Sequence, residues 1–206
     1  MPSIGWLDRL RASPRWDDVT YWALDLEMTG LSSARDHIIA IGMVPIRGGT
    51  IRYGERFTSL VRPPDGERRS TEGLPAHHLL PEEYERAPTM AELLPQVDER
   101  LRNGVLVLHH APLDLSFLRM AYRRFGRPWP RPRVVDTISL LMRHHRRTHR
   151  FSPHPPAART SLADARAVLG LPAYPAHDAL SDALATAELF LVLRSRLGAC
   201  TLRQLT

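Results

Sequence analysis

The stretch Tyr21-Trp22-Ala23-Leu24-Asp25-Leu26-Glu27 decides the fold, and Thr29-Gly30 closes it. A short apolar run that ends in a turn signal is typical of a buried strand. Because successive side chains point to opposite faces of a strand, Asp25 and Glu27 are expected on one face and the leucines on the other. Two neighbouring carboxylates in a mostly apolar strand repel each other, and a divalent cation is the simplest way to make them tolerable. The alternative is a pair of acids at the exposed end of a strand.

Further strands and helices are predicted around this run. Residues 38–46 form a second strand, and the glycine pair at 48 and 49 turns the chain into a third extended stretch, 50–61. Apolar spacing then predicts helices that begin near residues 89, 115, 137, 161 and 179, with short strands at 105–108 and 134–135. This order is typical of an α/β protein with a mixed sheet covered by helices. We expect a helical N-terminal extension at 1–19, one folded domain at 20–198 and a C-terminal tail at 199–206.

The composition is that of a globular domain with a basic surface. Its 206 residues are 43% hydrophobic and 24% charged, which excludes a disordered chain, a collagen and a disulfide scaffold. No apolar run approaches the roughly 20 residues that span a bilayer, and residues 1–16 lack the apolar core of a signal peptide. The single cysteine, Cys200, allows no intramolecular disulfide and predicts a cytoplasmic location. The net charge of +6 favours a polyanionic partner, with nucleic acid the first candidate.

Two further acids and one histidine lie where structure alone does not require them. Asp114 follows the strand at 105–108, and an ordinary helix cap is the alternative interpretation. Asp182 shares a helical stripe with small residues, so it points towards packed structure, where a carboxylate needs a partner. His177 precedes Asp182 by five positions, and nearby prolines predict a loop there. A histidine on a loop beside a metal-binding acid is well placed to act as a general base.

Three motifs carry a family resemblance. They are Asp25-Leu26-Glu27-Met28-Thr29-Gly30-Leu31, His110-Ala111-Pro112-Leu113-Asp114 with Phe117-Leu118, and His177-Asp178-Ala179-Leu180 with Asp182-Ala183. In order and spacing they resemble the motifs of the DEDDh 3'→5' exonucleases, and most closely the proofreading (epsilon) exonuclease domains of bacterial replicative DNA polymerases. The resemblance extends over residues 21–197. It implies a ribonuclease H-like fold, with a mixed five-stranded sheet flanked by helices.

The resemblance also implies a role for each motif residue. Asp25, Glu27 and Asp182 would ligate one of two Mg²⁺ or Mn²⁺ ions. Asp25 would bridge to the second ion, to which Asp114 would contribute directly or through water. His177 would take a proton from the attacking water. The terminal nucleotide would contact Met28, Thr29, Gly30, Leu31 and His110.

The implied activity is metal-dependent hydrolysis of phosphodiester bonds from the 3' end of DNA, with single-stranded DNA expected first. The products would be 5'-nucleoside monophosphates, and the implied setting is DNA replication, proofreading or repair. In the second motif His110 stands where the family has Asn, and Leu113 where it has Phe. Neither is a metal ligand, so we expect the chemistry to be retained and the nucleotide contacts to differ.

Two alternatives stay open. The first motif is also similar to that of the oligoribonucleases, which makes a 3'→5' exoribonuclease one alternative. The other is a non-catalytic nucleic-acid-binding module, which would not need all five of the predicted site residues. Residues 199–206 are too few for the polymerase-binding segment of the proofreading subunit, so we do not expect a polymerase partner.

Residues 143–150 form a dense basic stretch, Arg-His-His-Arg-Arg-Thr-His-Arg. One interpretation is a patch that contacts phosphates along a nucleic-acid strand. The other is a solvated helix end whose cations offset the helix dipole. The histidines have no cysteine or acid at ligand spacing, so a metal site is not expected there. We interpret Asp136 and Asp178 as helix caps rather than metal ligands.

Overall fold

The computed structural model describes residues 13–64, 81–175 and 178–206, and in them a six-stranded sheet forms the centre of the fold. The strands are β1 (Tyr21–Met28), β2 (Ile38–Arg47), β3 (Thr50–Ile51), β4 (Phe57–Leu60), β5 (Val105–Leu108) and β6 (Arg133–Asp136). Their spatial order is β3-β2-β1-β5-β6, and β4 also pairs with β2. β2 is antiparallel to β1, whereas β5 is parallel to both β1 and β6. The predicted mixed sheet is confirmed.

Helices flank this sheet. In the described ranges they are α1 (Pro81–Arg86), α2 (Met90–Arg102), α3 (Ala111–Arg124), α4 (Thr137–Thr148), α5 (Leu162–Val168) and α6 (Ala179–Leu197). Short 3₁₀ turns lie at Trp16–Asp18, Tyr53–Glu55 and Leu202–Gln204. None of the helices in these ranges has the length and apolar character that crossing a bilayer requires.

The elements differ from the predicted ones in two places. The predicted extended stretch at 50–61 is interrupted by the turn Tyr53–Glu55, so β3 and β4 are separate strands and the sheet has six strands, not five. Helix α3 begins at Ala111 rather than near 115, with His110 as its N-cap residue. Asp114 therefore lies within the first turn, and the interpretation of Asp114 as a helix cap is wrong. Residues 1–12 of the predicted N-terminal helix lie outside the described residues.

Each face of the sheet is covered by one apolar layer. The first layer packs Trp22, Leu24 and Leu26 of β1 against α2 and α3. The second packs Tyr21 and Ala23 of the same strand against α4, α5 and α6. By the alternation of a strand, Asp25 and Glu27 continue the face of Tyr21 and Ala23, as predicted. The two acids therefore lie on the side of the sheet that α6 covers.

Residues after α6 pack against the start of the domain. The Trp16 nitrogen donates to the Cys200 carbonyl oxygen at 3.1 Å, and the Leu202 nitrogen donates to the Pro14 carbonyl oxygen at 3.0 Å. Leu202 and Leu205 belong to the second apolar layer. The predicted C-terminal tail is thus built into the fold over these residues.

Two arginines of the basic stretch hold this C-terminal segment. Arg143 donates to the Gln204 carbonyl oxygen at 2.6 Å, and Arg147 donates to the Leu197 carbonyl oxygen at 3.0 Å. Each guanidinium group therefore has an intramolecular partner, which gives these two arginines a structural role. The phosphate-contact interpretation of residues 143–150 stays a prediction.

The first turn of α6 rests directly on β2 at Gly42. Gly42 pairs with Asp25 across the two strands. A Cβ atom built on Gly42 would lie 2.1 Å from the Ala179 carbonyl oxygen and 2.5 Å from the Leu180 nitrogen. These are backbone atoms, so no side-chain rotation relieves the clash. Only glycine lets the amino end of α6 approach the sheet this closely, beside Asp25.

We predict that Gly42→Ala destabilises the protein by about 1–3 kcal/mol, the usual cost of inserting a methyl group into a packed site. The free energy of unfolding in urea measures this loss. Gly54→Ala is the matched control, because no atom lies within 4 Å of the added carbon. If both variants unfolded at the wild-type urea concentration, the close contact with α6 would be absent.

Candidate active site

Carboxylates from two elements meet at the carboxyl end of β1. Asp25 and Glu27 come from β1 and Asp182 from the first turn of α6, and one oxygen of each lies within 4.8 Å of the others. Among the described residues this is the one group of three or more acids, histidines or cysteines with such spacing. An all-oxygen donor set suits a hard divalent cation such as Mg²⁺ or Mn²⁺. The residues therefore fit the metal that the sequence predicts.

A register irregularity lies at the end of β1 that carries the two acids. Residues two apart on a regular strand are separated by about 6.8 Å along it. Asp25 lies in regular register opposite Gly42, but the register shifts after Glu27, which pairs with Ala40 while Met28 pairs with Ile38. A bulge increases the local twist and changes the direction of neighbouring side chains. Glu27 therefore sits at the irregular end of the ladder, next to Asp182.

The N-cap of α6 fixes the turn that carries Asp182. The Asp178 carboxylate accepts from the Ser181 nitrogen at 2.9 Å and from the Ser181 hydroxyl at 2.6 Å. The Asp182 nitrogen donates to the Asp178 carbonyl oxygen at 2.9 Å. Asp178 is thus the helix cap that the sequence predicts. His177 lies outside the described residues, so its role stays a prediction.

Asp114 comes from α3, which packs on the face of the sheet opposite α6. It is only 5% exposed, and backbone N–H groups of Leu26 and of Asp114 itself hydrogen-bond its carboxyl group. Its oxygens are not part of the group within 4.8 Å. It is nevertheless close enough to interact electrostatically with Asp25 and Glu27. The four predicted acids therefore share one region of the protein.

Burial and mutual repulsion favour the protonated forms of these acids. Burial raises the pKa of Asp25 well above its usual value, and repulsion by Asp114, Asp182 and Glu27 raises it further. Burial raises the pKa of Glu27 to about 7, with added repulsion from Asp182 and Asp178. Burial likewise raises the pKa of Asp114 to about 7, although its backbone hydrogen bonds oppose the change. Bound positive charge would relieve this repulsion, which is what a metal site requires.

The loop after β1 carries the predicted nucleotide contacts, and hydrogen bonds close it. The Thr29 hydroxyl accepts from the His37 nitrogen at 3.0 Å, and the Thr29 nitrogen donates to the His37 carbonyl oxygen at 3.0 Å. A Cβ atom on Gly30 would lie 2.5 Å from an Asp36 carboxylate oxygen, so the loop closes tightly around glycine. Leu31 is 81% exposed beside this loop. Its apolar side chain is open to a ligand next to the acids.

Arg124 holds the same loop through hydrogen bonds, and the sequence did not predict this role. Its guanidinium group donates to the carbonyl oxygens of Ser33, Ala34 and Asp36 at 3.3, 2.9 and 3.2 Å. It also lies 2.9 Å from Nδ1 of His37. Arg124 ends the helix whose first turn holds Asp114, so α3 positions both an acid and the loop. The partners are 87 to 91 residues away in sequence, a separation at which no local signal identifies them.

His110 has a left-handed backbone, with φ 69° and ψ 57°. Its nitrogen donates at 3.2 Å to the Asp136 carboxylate, which also accepts from the Ile138 nitrogen at 3.0 Å and so caps α4 as predicted. Among residues with a side chain, Asn adopts this conformation more readily than most. The left-handed backbone thus explains why Asn suits this position in the DEDDh exonucleases. His110 is exposed and placed beside the buried Asp114.

We predict that the metal-free protein loses stability as the pH rises from about 5 to 8. In this range the folded protein retains protons on Asp25, Glu27 and Asp114 that the unfolded chain has released, since free carboxyls titrate near pH 4. The free energy of unfolding then falls with pH, by up to about 1.4 kcal/mol for each unit of pKa difference. Urea unfolding in excess chelator measures this slope, and Mn²⁺ at pH 8 should restore the stability.

Asp25→Asn should flatten this slope and raise the metal-free stability at pH 8, because one repelling charge is removed. Asp18→Asn is the control, since Asp18 is an exposed acid outside the group. If the free energy of unfolding of the metal-free protein rose with pH, the pKa values of these carboxyl groups would not be raised in the folded state.

The chain matches the exonuclease family model RNase_T over residues 22–190. A DNA polymerase III subunit epsilon-like protein of Rhodobacter capsulatus is 33% identical over 187 residues, covering 89% of this chain and 25% of that protein. A PolC-type DNA polymerase III of Thermotoga petrophila is 32% identical over 183 residues, covering 85% of this chain and 12% of that protein. The chain therefore spans a quarter or less of the length of either relative.

Solved structures share the fold. The zinc-bound exonuclease I of E. coli in complex with single-stranded DNA aligns with a TM-score of 0.71 at 16% identity, covering 88% of this chain and 41% of that one. Cell-death related nuclease 4 also gives 0.71 at 17% identity, covering 89% and 66%. The predicted ribonuclease H-like architecture is thereby confirmed. Together with the match over residues 22–190, it shows that the chain belongs to the RNase_T exonucleases, the DEDD family that its three motifs predict.

Proposed function

We propose that the chain is a metal-dependent 3'→5' exonuclease that degrades single-stranded DNA to 5'-nucleoside monophosphates. The observation that carries this proposal is the meeting of Asp25, Glu27 and Asp182 within 4.8 Å, with the buried Asp114 beside them. Family membership gives the class of reaction. The net charge of +6 and the single-stranded DNA bound by the structurally similar exonuclease I support the choice of substrate.

Asp25, Glu27 and Asp182 are the proposed ligands of one Mg²⁺ or Mn²⁺ ion, and Asp25 and Asp114 those of a second. Bound divalent cations supply the charge that polarises a scissile phosphate and lowers the pKa of an attacking water. The protein contributes their placement. Gly42 lets the first turn of α6 approach Asp25, and the backbone of Leu26 supports the Asp114 carboxyl group.

Substrate placement is assigned to the closed loop after β1 and to His110. Met28 and the backbone of Thr29 and Gly30 lie next to the acids, and the exposed Leu31 offers an apolar contact to the terminal base. His177 is the proposed acceptor of the water's proton. Arg124 positions the loop and does not contact the reacting atoms.

The proposed location is the cytoplasm, in agreement with Cys200 being a free thiol. That the chain acts without a polymerase partner stays a prediction.

We predict complete loss of activity in Asp25→Asn and in Asp182→Asn, and in the wild type with excess chelator. Asp18→Asn, which removes an exposed acid outside the site, should retain full activity. Labelled DNA and RNA oligomers of matched sequence, incubated with Mn²⁺, measure the rates. Wild-type rates in chelator, or in either site variant, would refute the metal mechanism.

The same assay tests direction and substrate. Successive shortening from the 3' end, blocked by a 3'-phosphate and absent on circular single strands, is expected. Cleavage of the circle would show an endonuclease. Faster degradation of RNA would favour the exoribonuclease alternative, for which the similarity of the first motif to the oligoribonucleases is the supporting observation.

We predict that His177→Ala lowers kcat by about 10²- to 10⁴-fold, the usual contribution of a positioned acid or base. Oligonucleotide binding should persist, since it does not depend on that proton transfer. His110→Asn is the matched control and should be nearly neutral, because Asn tolerates the left-handed backbone at this position. Steady-state kinetics of both variants decide the assignment, and an inactive His110→Asn with an active His177→Ala would reverse it.

A further inference from the structure

A cavity lies towards the carboxyl end of α4. It has a volume of about 460 Å³ and is lined by α4, residues 156–159, the end of α5 and Arg196 of α6. The opposite end of α4 begins at Asp136, which bonds His110 beside the acids. A helix of 12 residues is about 18 Å long. The cavity therefore lies along α4 towards its carboxyl end, whereas the amino end of α4 contacts His110.

The polar part of this cavity is made of basic groups. It consists of the imidazoles of His144, His145 and His149 and the guanidinium groups of Arg159 and Arg196, with the Thr148 hydroxyl beside them, and no carboxylate of the described residues lines it. Arg159 forms an ion pair with Asp164 at 3.4 Å, whereas Arg196 forms no hydrogen bond or ion pair with the described residues. Burial and the nearby Arg196 and Arg147 lower the pKa of His144, so the guanidinium groups carry the positive charge of the cavity. These guanidinium groups suit an anion, and that of Arg196 is free to receive it.

The cavity and the residues that directly follow α4 in sequence also offer flat and apolar surfaces. The rings of His145 and His149 lie 4.4 Å apart and are tilted by 36°. Phe151 follows them and is 89% exposed, with the Arg150 guanidinium 5.4 Å from its ring centre. Val168 on the cavity wall is 65% exposed. A large aromatic side chain held in water beside arginine is the arrangement on which nucleobases stack in single-strand binding proteins.

A metal is excluded as the occupant by the geometry of the imidazoles. Their nitrogens do not form a group of three within ligand distance, a spacing met in the described residues by the acids alone. Nδ1 of His149 is already bonded to the His145 carbonyl oxygen at 3.0 Å. The cavity therefore lacks a chelating set and retains its basic groups for an anion.

We infer that this cavity and Phe151 bind single-stranded nucleic acid a few nucleotides from the end that is cleaved. Phosphates would contact Arg196 and Arg159, and a base would stack on Phe151 or on the imidazole pair. The inference rests on the proposed function, because the strand that would reach the cavity is the one held at the acids. It assigns a second binding site, separate from the chemistry, that only longer strands reach.

The test compares a trinucleotide with a dodecamer in Arg196→Ala and Phe151→Ala. In excess chelator, fluorescence anisotropy should show the dodecamer Kd raised about 5-fold or more in each variant, the scale of a lost base stack. The trinucleotide Kd should not change. With metal, KM for the dodecamer should rise and kcat should be retained. The salt dependence of dodecamer binding should also weaken in Arg196→Ala, by about one unit of slope.

Arg52→Ala is the matched control, since Arg52 is exposed in the β3 hairpin and its side chain forms no hydrogen bond or ion pair with the described residues. Equal effects on both oligomers, or equal effects of Arg52→Ala, would overturn the inference. If an acidic peptide bound the wild type, and the two variants weakened peptide binding but left the dodecamer Kd unchanged, the occupant of the cavity would be a protein partner instead. A wild type that binds the dodecamer through Arg196 but cleaves nothing would refute the proposed function and leave this site standing. Cleavage by the wild type together with unchanged dodecamer affinity in both variants would refute this binding site and leave the proposed function standing.

Discussion

The site depends on one contact, the close approach of the first turn of α6 to the bare backbone at Gly42. Gly42 is the cross-strand partner of Asp25, so the helix touches the sheet beside the first acid. This contact sets the distance between Asp182 and the β1 carboxylates. A side chain at this position would push the helix away from the strand and move Asp182 away from the β1 carboxylates.

The fold has to hold these acids against their repulsion. A helix amino end brings backbone N–H dipoles towards the group, and anions are favoured there. Backbone N–H groups support Asp114, and Asp178 is occupied in capping α6. These interactions do not offset burial and repulsion, which raise the pKa of Glu27 and of Asp114 to about 7. The apo protein therefore retains an electrostatic strain that ligand charge is suited to relieve.

Much of the site could be predicted because its signals are local. The alternation of β1 places Asp25 and Glu27 on one face, and the caps at Asp136 and Asp178 follow from residue type at helix starts. The bulge after Glu27, the left-handed His110 and the hydrogen bonds of Arg124 to the loop could not be predicted. Each depends on a partner distant in sequence, and neither period nor propensity contains that information. Arg143 and Arg147 show the same limit, since their basic character suggested phosphate contacts while the C-terminal backbone is what they bind.

The pairing of Pro14 and Trp16 with Cys200 and Leu202 places the entry and exit of the domain side by side. A unit with this geometry can be inserted into a longer polypeptide at a single point, because the host chain leaves and re-enters without spanning the unit. The arrangement would transmit little strain between host and insert. It offers a physical reason why one compact fold of this kind can recur within much larger proteins, such as the two relatives of which it matches only 25% and 12%.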